Sequence, residues 1–137
     1  MRILNKSTLP DPVYQTANSA CFDIASTVDL EIGPSETAIV PTGLYIDEPV
    51  PTNLCLEIKS RSGLAAKKSV IVLNAPGVVD ADYKDEIKVI LHNFGRIPFK
   101  IKAGDRIAQG MVVEFKHADG MSVLSHLRSG GLGSTGV

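Results

Sequence analysis

Four carboxylates and a tyrosine crowd one short span of the chain: Asp80, Asp82, Tyr83, Asp85 and Glu86. A carboxylate held among like charges and partly withdrawn from water is a candidate general base. The span continues from Asn74-Ala75-Pro76-Gly77-Val78-Val79 and lies between two apolar runs, Val70 to Leu73 and Ile87 to Leu91. It therefore reads as a β-hairpin or wide turn. The backbone at a hairpin tip exposes donors and acceptors that can pair with the edge of a flat base, and the Asn74 amide offers one more of each. The plainer reading is a solubilising acidic loop.

Four further segments carry chemical groups. Ser60-Arg61-Ser62-Gly63-Leu64-Ala65 sets an Arg, a hydroxyl and a Gly before a short helical turn. Such a turn presents free N–H groups at its positive end, and the planar Arg fork suits phosphate. Read alone, it serves equally well as an N-capped turn with a solvated Arg. Ala20-Cys21-Phe22-Asp23-Ile24 places an acid among apolar residues, and a strand-edge Asp capping a turn explains it as simply. Gly104-Asp105-Arg106-Ile107-Ala108-Gln109-Gly110 reads as a turn followed by a strand. The end of the chain, Ser129 to Val137, is Gly-rich and follows Arg128. By composition it is a frayed tail; the functional reading is a flap that orders over a ligand.

The elements that must position these groups are strands. Leu54, Leu56 and Ile58 alternate with Cys55, Glu57 and Lys59; Val28, Leu30 and Ile32 with Asp29 and Glu31; Ile87, Val89 and Leu91 with Lys88, Ile90 and His92; Phe99 and Ile101 with Lys100 and Lys102. A period of two sends one side of each strand to a core. Ile90 interrupts the polar side of its strand, which predicts cover on both faces. Gly/Pro turn signals recur at 33–35, 47–51, 75–77, 95–98 and 103–105. Only Ser62 to Lys68 looks helical, and it is a turn or two at most. Many short, evenly punctuated strands predict a sandwich, barrel or jelly roll.

At 137 residues, 44% hydrophobic and 21% charged, the chain is one globular domain rather than a disordered segment. A net charge of −1 gives no support for a protein that coats nucleic acid, although a local patch can still hold a few phosphates. Cys21 and Cys55 form no CxxC pair and read as reduced thiols. His92, His117 and His126 lack ligand spacing. Neither a signal peptide nor a membrane-spanning run is visible, which makes a soluble cytoplasmic protein the expectation.

Taken in order, the five segments resemble the motifs of the trimeric dUTPase family, whose patterns read A-G-Y-D-L, R-S-G-L-A, G-x-I-D-x-D-Y-x-G, G-D-R-I-A-Q and R-G-x-G-G-F-G-S-T-G. The resemblance runs from Ala20 to Gly136. Departures are Cys21 for Gly, Phe22 for Tyr, Asp85 for Gly and Leu132 for Phe, and Arg128 stands one residue closer to the Gly-Gly pair.

The resemblance implies an all-β, jelly-roll-like fold of the β-clip type with one short helical turn. Residues 1–127 would form a single β domain and 128–137 a flexible C-terminal flap. It implies hydrolysis of dUTP to dUMP and pyrophosphate with Mg2+, which keeps uracil out of DNA and supplies dUMP for thymidylate synthesis. Asp80 corresponds to the carboxylate that activates water and holds the deoxyribose 3′-hydroxyl, and Tyr83 to the ring that packs on the sugar. Asn74, with Gly77 and backbone groups of Val78, Val79 and Lys88, matches the uracil-reading edge. Arg61, Ser62, Gly63 and Gln109 match phosphate binders. Arg128, Leu132, Gly133, Ser134 and Thr135 fall in the tail that closes on the substrate, and Asp23 matches a water-mediated support for the metal. The family is a homotrimer with sites shared between subunits, with no nucleic acid and no membrane as partner. Two rivals remain at this stage: a related dCTP deaminase-like enzyme, which would need a catalytic Glu beside the base, and a non-catalytic dUTPase-like regulator that binds nucleotide.

Overall fold

The computed structural model describes residues 1–47, 53–124, 128, 130–133 and 136. Among them run ten strands and one short helix: β1 (Arg2–Asn5), β2 (Phe22–Ala25), β3 (Leu30–Ile32), β4 (Thr37–Asp47), β5 (Leu54–Lys59), α1 (Ser62–Lys68), β6 (Val70–Val72), β7 (Gly77–Asp80), β8 (Ile87–Asn93), β9 (Phe99–Ile101) and β10 (Arg106–Glu114). One four-stranded sheet has the order β1-β4-β8-β6, a second the order β2-β10-β5-β7, and β3 pairs with β9. The all-β expectation holds, and the helix lies where the sequence placed it.

Alternation builds the core. Ile87, Val89 and Leu91 of β8 and Val40, Leu44 and Ile46 of β4 point inward from the first sheet. Ile24 of β2, Leu56 and Ile58 of β5 and Ala108 of β10 meet them from the second, and all belong to one buried cluster. Each fully buried aliphatic side chain contributes about 1.5–3 kcal/mol. The buried polar group at the end of β8 is satisfied. Asn93 donates through Nδ2 to the Ile32 and Ile97 carbonyls at 2.9 and 2.8 Å, and its Oδ1 accepts from the Gly95 N–H at 2.8 Å. It thereby ties β8 to β3 and to the loop before β9.

Three expectations are revised. Val28 is exposed and lies before β3, because Ser26 Oγ takes both its backbone groups: it donates to the Val28 carbonyl at 2.7 Å and accepts from the Val28 N–H at 3.1 Å. Cys55, on the expected polar side of β5, is buried. The third concerns the acidic span. It is not a hairpin of two paired arms, since β6 pairs with β8 directly and β7 leaves for the other sheet, where it pairs with β5. The register sets Ile58 opposite Gly77 and Cys55 opposite Asp80. Val79 packs on the core and anchors the strand there.

The return from β7 to β8 is fixed by Glu86. Its Oε1 accepts the Gly43 N–H at 2.8 Å, at the register break of β4. Gly43 has a φ of 69°, and a Cβ there would lie 2.6 Å from the Ser7 Cβ, so the bend needs glycine.

Leu56, fully buried in β5 and paired opposite Val79, is the most direct link between the core and β7. Leu56→Ala is expected to destabilise the fold by about 2–5 kcal/mol, read as a lower midpoint in urea denaturation with an unchanged slope.

Candidate active site

The exit of β7 opens a cleft. Beyond Leu73, whose N–H donates to the Ile90 carbonyl at 2.9 Å, β6 no longer accompanies β8. The Ile87–Val89 stretch of β8 therefore has an open edge, and so does β7, which is the last strand of its sheet. Between the two edges lies a cavity of about 210 Å³. Its floor is apolar, from Ile58, Val72, Ile87 and Val89, and its rim carries Asn74, Gly77, Val78, Val79, Tyr83 and Lys88. These are the six residues that the sequence reading assigned to a flat base and its sugar. Alternate residues of an edge strand turn backbone N–H and C=O groups outward without a ladder partner. The Asn74 amide lies over Gly77, where a Cβ would come within 3.1 Å of its Nδ2, so a side chain at 77 would push the amide aside. The cavity is below the roughly 300–1,000 Å³ of drug-sized pockets and suits a single-ring base.

The crowded carboxylates separate in space. Glu86 is held on Gly43, away from the cleft. Asp85 turns toward the tail, where a Cβ on Gly131 would collide with its carboxylate. Asp80 and Asp82 share one cation: Arg128 Nη1 lies 2.7 Å from Asp80 Oδ2 and 3.1 Å from Asp82 Oδ1, and the guanidinium stands 5.4 Å from the centre of the Tyr83 ring. The hydrogen bond to Asp80 raises the Arg128 pKa above its ordinary value, so the residue stays charged. Burial, then the Asp85 charge, pushes the Tyr83 hydroxyl up and keeps it protonated, and it donates to the Glu86 carbonyl at 3.3 Å. Burial also raises the Cys55 thiol.

The Gly-rich end therefore lies on the cleft at the positions described. Gly131 and Leu132 line it together with the half-buried Ile90, and Gly133 is exposed with a φ of 72°. Ser134 and Thr135 lie outside the described residues, as does His126.

A second polar cluster forms at the other end of β5. Arg61 Nε lies 3.3 Å from Asp23 Oδ1, while Arg106 Nη1 and Gln15 Nε2 each approach Asp23 Oδ2 at 3.2 Å. Arg61 also donates to the Arg106 carbonyl at 2.9 Å. Gln109 donates to the Ser60 carbonyl at 2.9 Å, and Ser60 Oγ accepts the Val72 N–H at 2.8 Å. Ser62 and Gly63 open α1, whose start has no side-chain cap, and a Cβ at Gly63 would meet nothing. Asp23 does not cap a turn, nor is Arg61 the solvated residue of the plainer reading. A cavity of about 190 Å³ opens beside Asp23 and Arg106. Arg106 was not singled out from the sequence. Its only signal was its place in the Gly104–Gly110 segment, and the pairing of β2 with β10 is what carries it to Asp23.

The two clusters do not meet within one chain. Asp80 sits opposite Cys55 and Arg61 follows Lys59. Four strand steps alone span roughly 13 Å, and none of Asp23, Arg61 or Gln109 lines the cleft of Asn74 and Tyr83.

The sequence model of the dUTPase family matches residues 7–136. This chain belongs to the dUTPase family. It is 42% identical over 142 residues to the deoxyuridine 5′-triphosphate nucleotidohydrolase of Cytophaga hutchinsonii, covering 99% of this chain and 91% of the relative. Among solved structures it resembles the dUTPase of Streptococcus mutans, with a TM-score of 0.76 at 26% identity over 86% of this chain and 98% of that one. It shares its fold with the phage phi11 dUTPase of S. aureus, a mutant of which was described for its coordination of a structural Mg(II) ion. That match has a TM-score of 0.78 at 18% identity, over 91% and 97% of the two chains. The architecture is thus the jelly-roll-like fold of this family.

Proposed function

We propose that this chain hydrolyses dUTP to dUMP and pyrophosphate, with uracil read in the cleft between β7 and β8. The observation that carries the reading is the gathering of Asn74, Gly77, Val78, Val79, Tyr83 and Lys88 around one base-sized cavity, with Asp80 paired to the Arg128 that also lines it. Open backbone edges on both sides can match the donor and acceptor pattern of uracil. Cytosine would leave polar groups unpaired, which a hydrogen-bonding site rejects by roughly 10⁴-fold or more. Tyr83 packs on the sugar, and Asp80 holds the 3′-hydroxyl and takes a proton from the attacking water. The resulting hydroxide adds to phosphorus as the bond to pyrophosphate breaks. Phosphoanhydride cleavage depends on position and charge neutralisation more than on covalent chemistry. Neither rival reading has a specific observation in its favour: among the described residues no glutamate lines the cleft, Tyr83 lines it, and Asp80 is paired with Arg128, which also lines it.

Arg61, Ser62, Gly63 and Gln109 bind the triphosphate, and Arg106 joins them through its shared hold on Asp23. Among the described residues no cluster of His, Cys, Asp or Glu forms a metal cage. The donor set still fits Mg2+, which usually keeps its waters and rides on substrate phosphates. Among the described residues Asp23 Oδ1 has one near partner, Arg61, so that oxygen can still accept from a metal-bound water. The ion's contribution when bound is to offset the charge on the triphosphate.

The separation of Asp80 from Arg61 favours a site built from more than one copy of the chain. A cyclic homotrimer, the family's assembly, brings the uridine cleft of one subunit to the phosphate cluster of the next. Residues 1–127 act as the body and 128–137 as the flap, with Leu132, Gly133, Ser134 and Thr135 over the substrate. No helix among the described residues is long and apolar enough to cross a membrane, and we place the protein in the cytoplasm without a nucleic-acid partner.

Incubation with Mg2+ and each deoxynucleoside triphosphate should yield pyrophosphate from dUTP alone and no ammonia. Asp80→Asn is expected to keep nucleotide affinity and lose about 10²–10⁴-fold in turnover; near-normal turnover would remove Asp80 as the base. Mixing Arg61→Ala chains with Asp80→Asn chains under subunit exchange should restore part of the activity, and no recovery would place both residues in one chain's site. Leu132→Phe should lower KM by about fivefold, since a ring can stack on the base where Leu only covers it. An unchanged or higher KM would show that Leu132 does not meet the uracil.

A further inference from the structure

The chain entering β8 is pinned from β4. Pro41 pairs with Lys88 and Leu44 with Ile87, so Thr42 and Gly43 bulge out of the ladder between them. The bulge turns two donors onto Glu86 and Ile87. Glu86 Oε1 accepts the Gly43 N–H at 2.8 Å, and the buried Thr42 hydroxyl donates to the Ile87 carbonyl. The bulge is held from behind as well: the Gly43 carbonyl accepts the Lys6 N–H at 2.8 Å, and the Thr42 hydroxyl accepts the Leu44 N–H at 3.2 Å.

Glu86 carries this lock to the cleft through its backbone. Its carbonyl accepts the Tyr83 hydroxyl at 3.3 Å, and Tyr83 lines the cavity. A hydrogen bond that long is weak, so it places the ring only if its acceptor does not move. The Glu86 carboxylate meets that condition, because a charged acceptor holds an N–H roughly twice as strongly as a neutral one. At its other end Tyr83 is fixed by its own N–H, which donates to the Asp80 carbonyl at 3.1 Å. Resting on the reading of this cleft as the uridine pocket, we propose that Glu86 is a positioning residue that sets the Tyr83 ring against the sugar and so determines how strictly a ribonucleotide is refused.

The arrangement indicates which part of the sugar is concerned. The base lies in the cavity and Asp80 holds the 3′-hydroxyl. Tyr83 borders the same cavity and is tied by its N–H to Asp80, so its ring flanks the stretch of sugar that joins base to 3′-hydroxyl, where carbon 2′ lies. A ring packed on a hydrogen at that carbon leaves no room for a hydroxyl. Retreat of the ring by about 0.5–1 Å would forfeit roughly a quarter to a half of its contact with the deoxy sugar and relieve the clash with the added oxygen. Selectivity therefore depends on holding the ring in place, and Glu86 does so without entering the cleft.

The test is the ratio of kcat/KM for dUTP to kcat/KM for UTP, measured with Mg2+ in the wild-type protein, Glu86→Gln and Glu86→Ala. Glu86→Gln keeps a side-chain oxygen for the Gly43 N–H and is expected to hold the ratio within about threefold. Glu86→Ala removes that acceptor and is expected to lower the ratio by about tenfold, with a higher KM for dUTP, a lower KM for UTP and a smaller change in kcat. A residue that merely supports the fold would lower activity toward both nucleotides alike and leave the ratio where it was. An unchanged ratio in a folded Glu86→Ala protein overturns the proposal, as does an equal loss in Glu86→Gln. If Glu86→Ala does not fold, Tyr83→Phe, which keeps the ring and removes its bond to Glu86, takes its place, and an unchanged ratio there overturns the proposal. These results leave dUTP hydrolysis standing, whereas failure of the wild-type protein to hydrolyse dUTP sinks the underlying reading of the cleft.

Discussion

Strand β7 is paired on one side only, and the geometry of the cleft follows from that. The chain pairs β6 with β8 in one sheet, yet the residues between them must travel to the other sheet and back. Val79 seated on the core and four register pairs with β5 hold β7 in place, while Glu86 on Gly43 fixes the return. The detour leaves two strand edges facing each other across a gap. An unpaired edge is usually a liability for a β protein; here it is short, lies beside the Gly-rich end and offers backbone groups at rigid positions.

Charge is distributed to match. Asp23 with Arg61 and Arg106 lies at one end of β5, and Asp80 with Asp82 and Arg128 near the other. Partly exposed pairs of this kind contribute about 0.2–1 kcal/mol each, so stability comes from the shared core, and the pairs hold side chains in position instead. Both clusters set arginine against carboxylate near an open cavity. The two clusters lie toward opposite ends of one strand, and neither Asp23 nor Arg61 lines the cleft between β7 and β8.

Much of this was legible in the amino-acid sequence because it depends on near neighbours. Alternation along β5, β8 and β9 follows from a side-chain period of two, and α1 from a short run bounded by Ser62 and a left-handed Ser69. Ile90, out of pattern on its strand, is half-buried and lines the cavity. Motif order carried Asn74, Gly77, Val78, Val79, Tyr83 and Lys88 to a common role, and they do surround one cavity. The all-β class was therefore readable from local pattern, and the family from the resemblance of five ordered motifs.

Tertiary structure decided what depends on partners distant in the chain. Nothing local distinguishes Asp80 from Glu86; Gly43, at a bend of β4, removes Glu86 from the cleft. Arg106 reaches Asp23 only because β2 pairs with β10. The acidic span looked like a hairpin because its flanking runs do pair, but the span itself joins another sheet, where Leu56 and Ile58 offer a better surface for its apolar side. Arg128, at the start of a Gly-rich segment with little to bury, meets two carboxylates and a ring that are distant in the chain. Periodicity determines which face a residue turns inward, whereas long-range pairing determines what that residue meets.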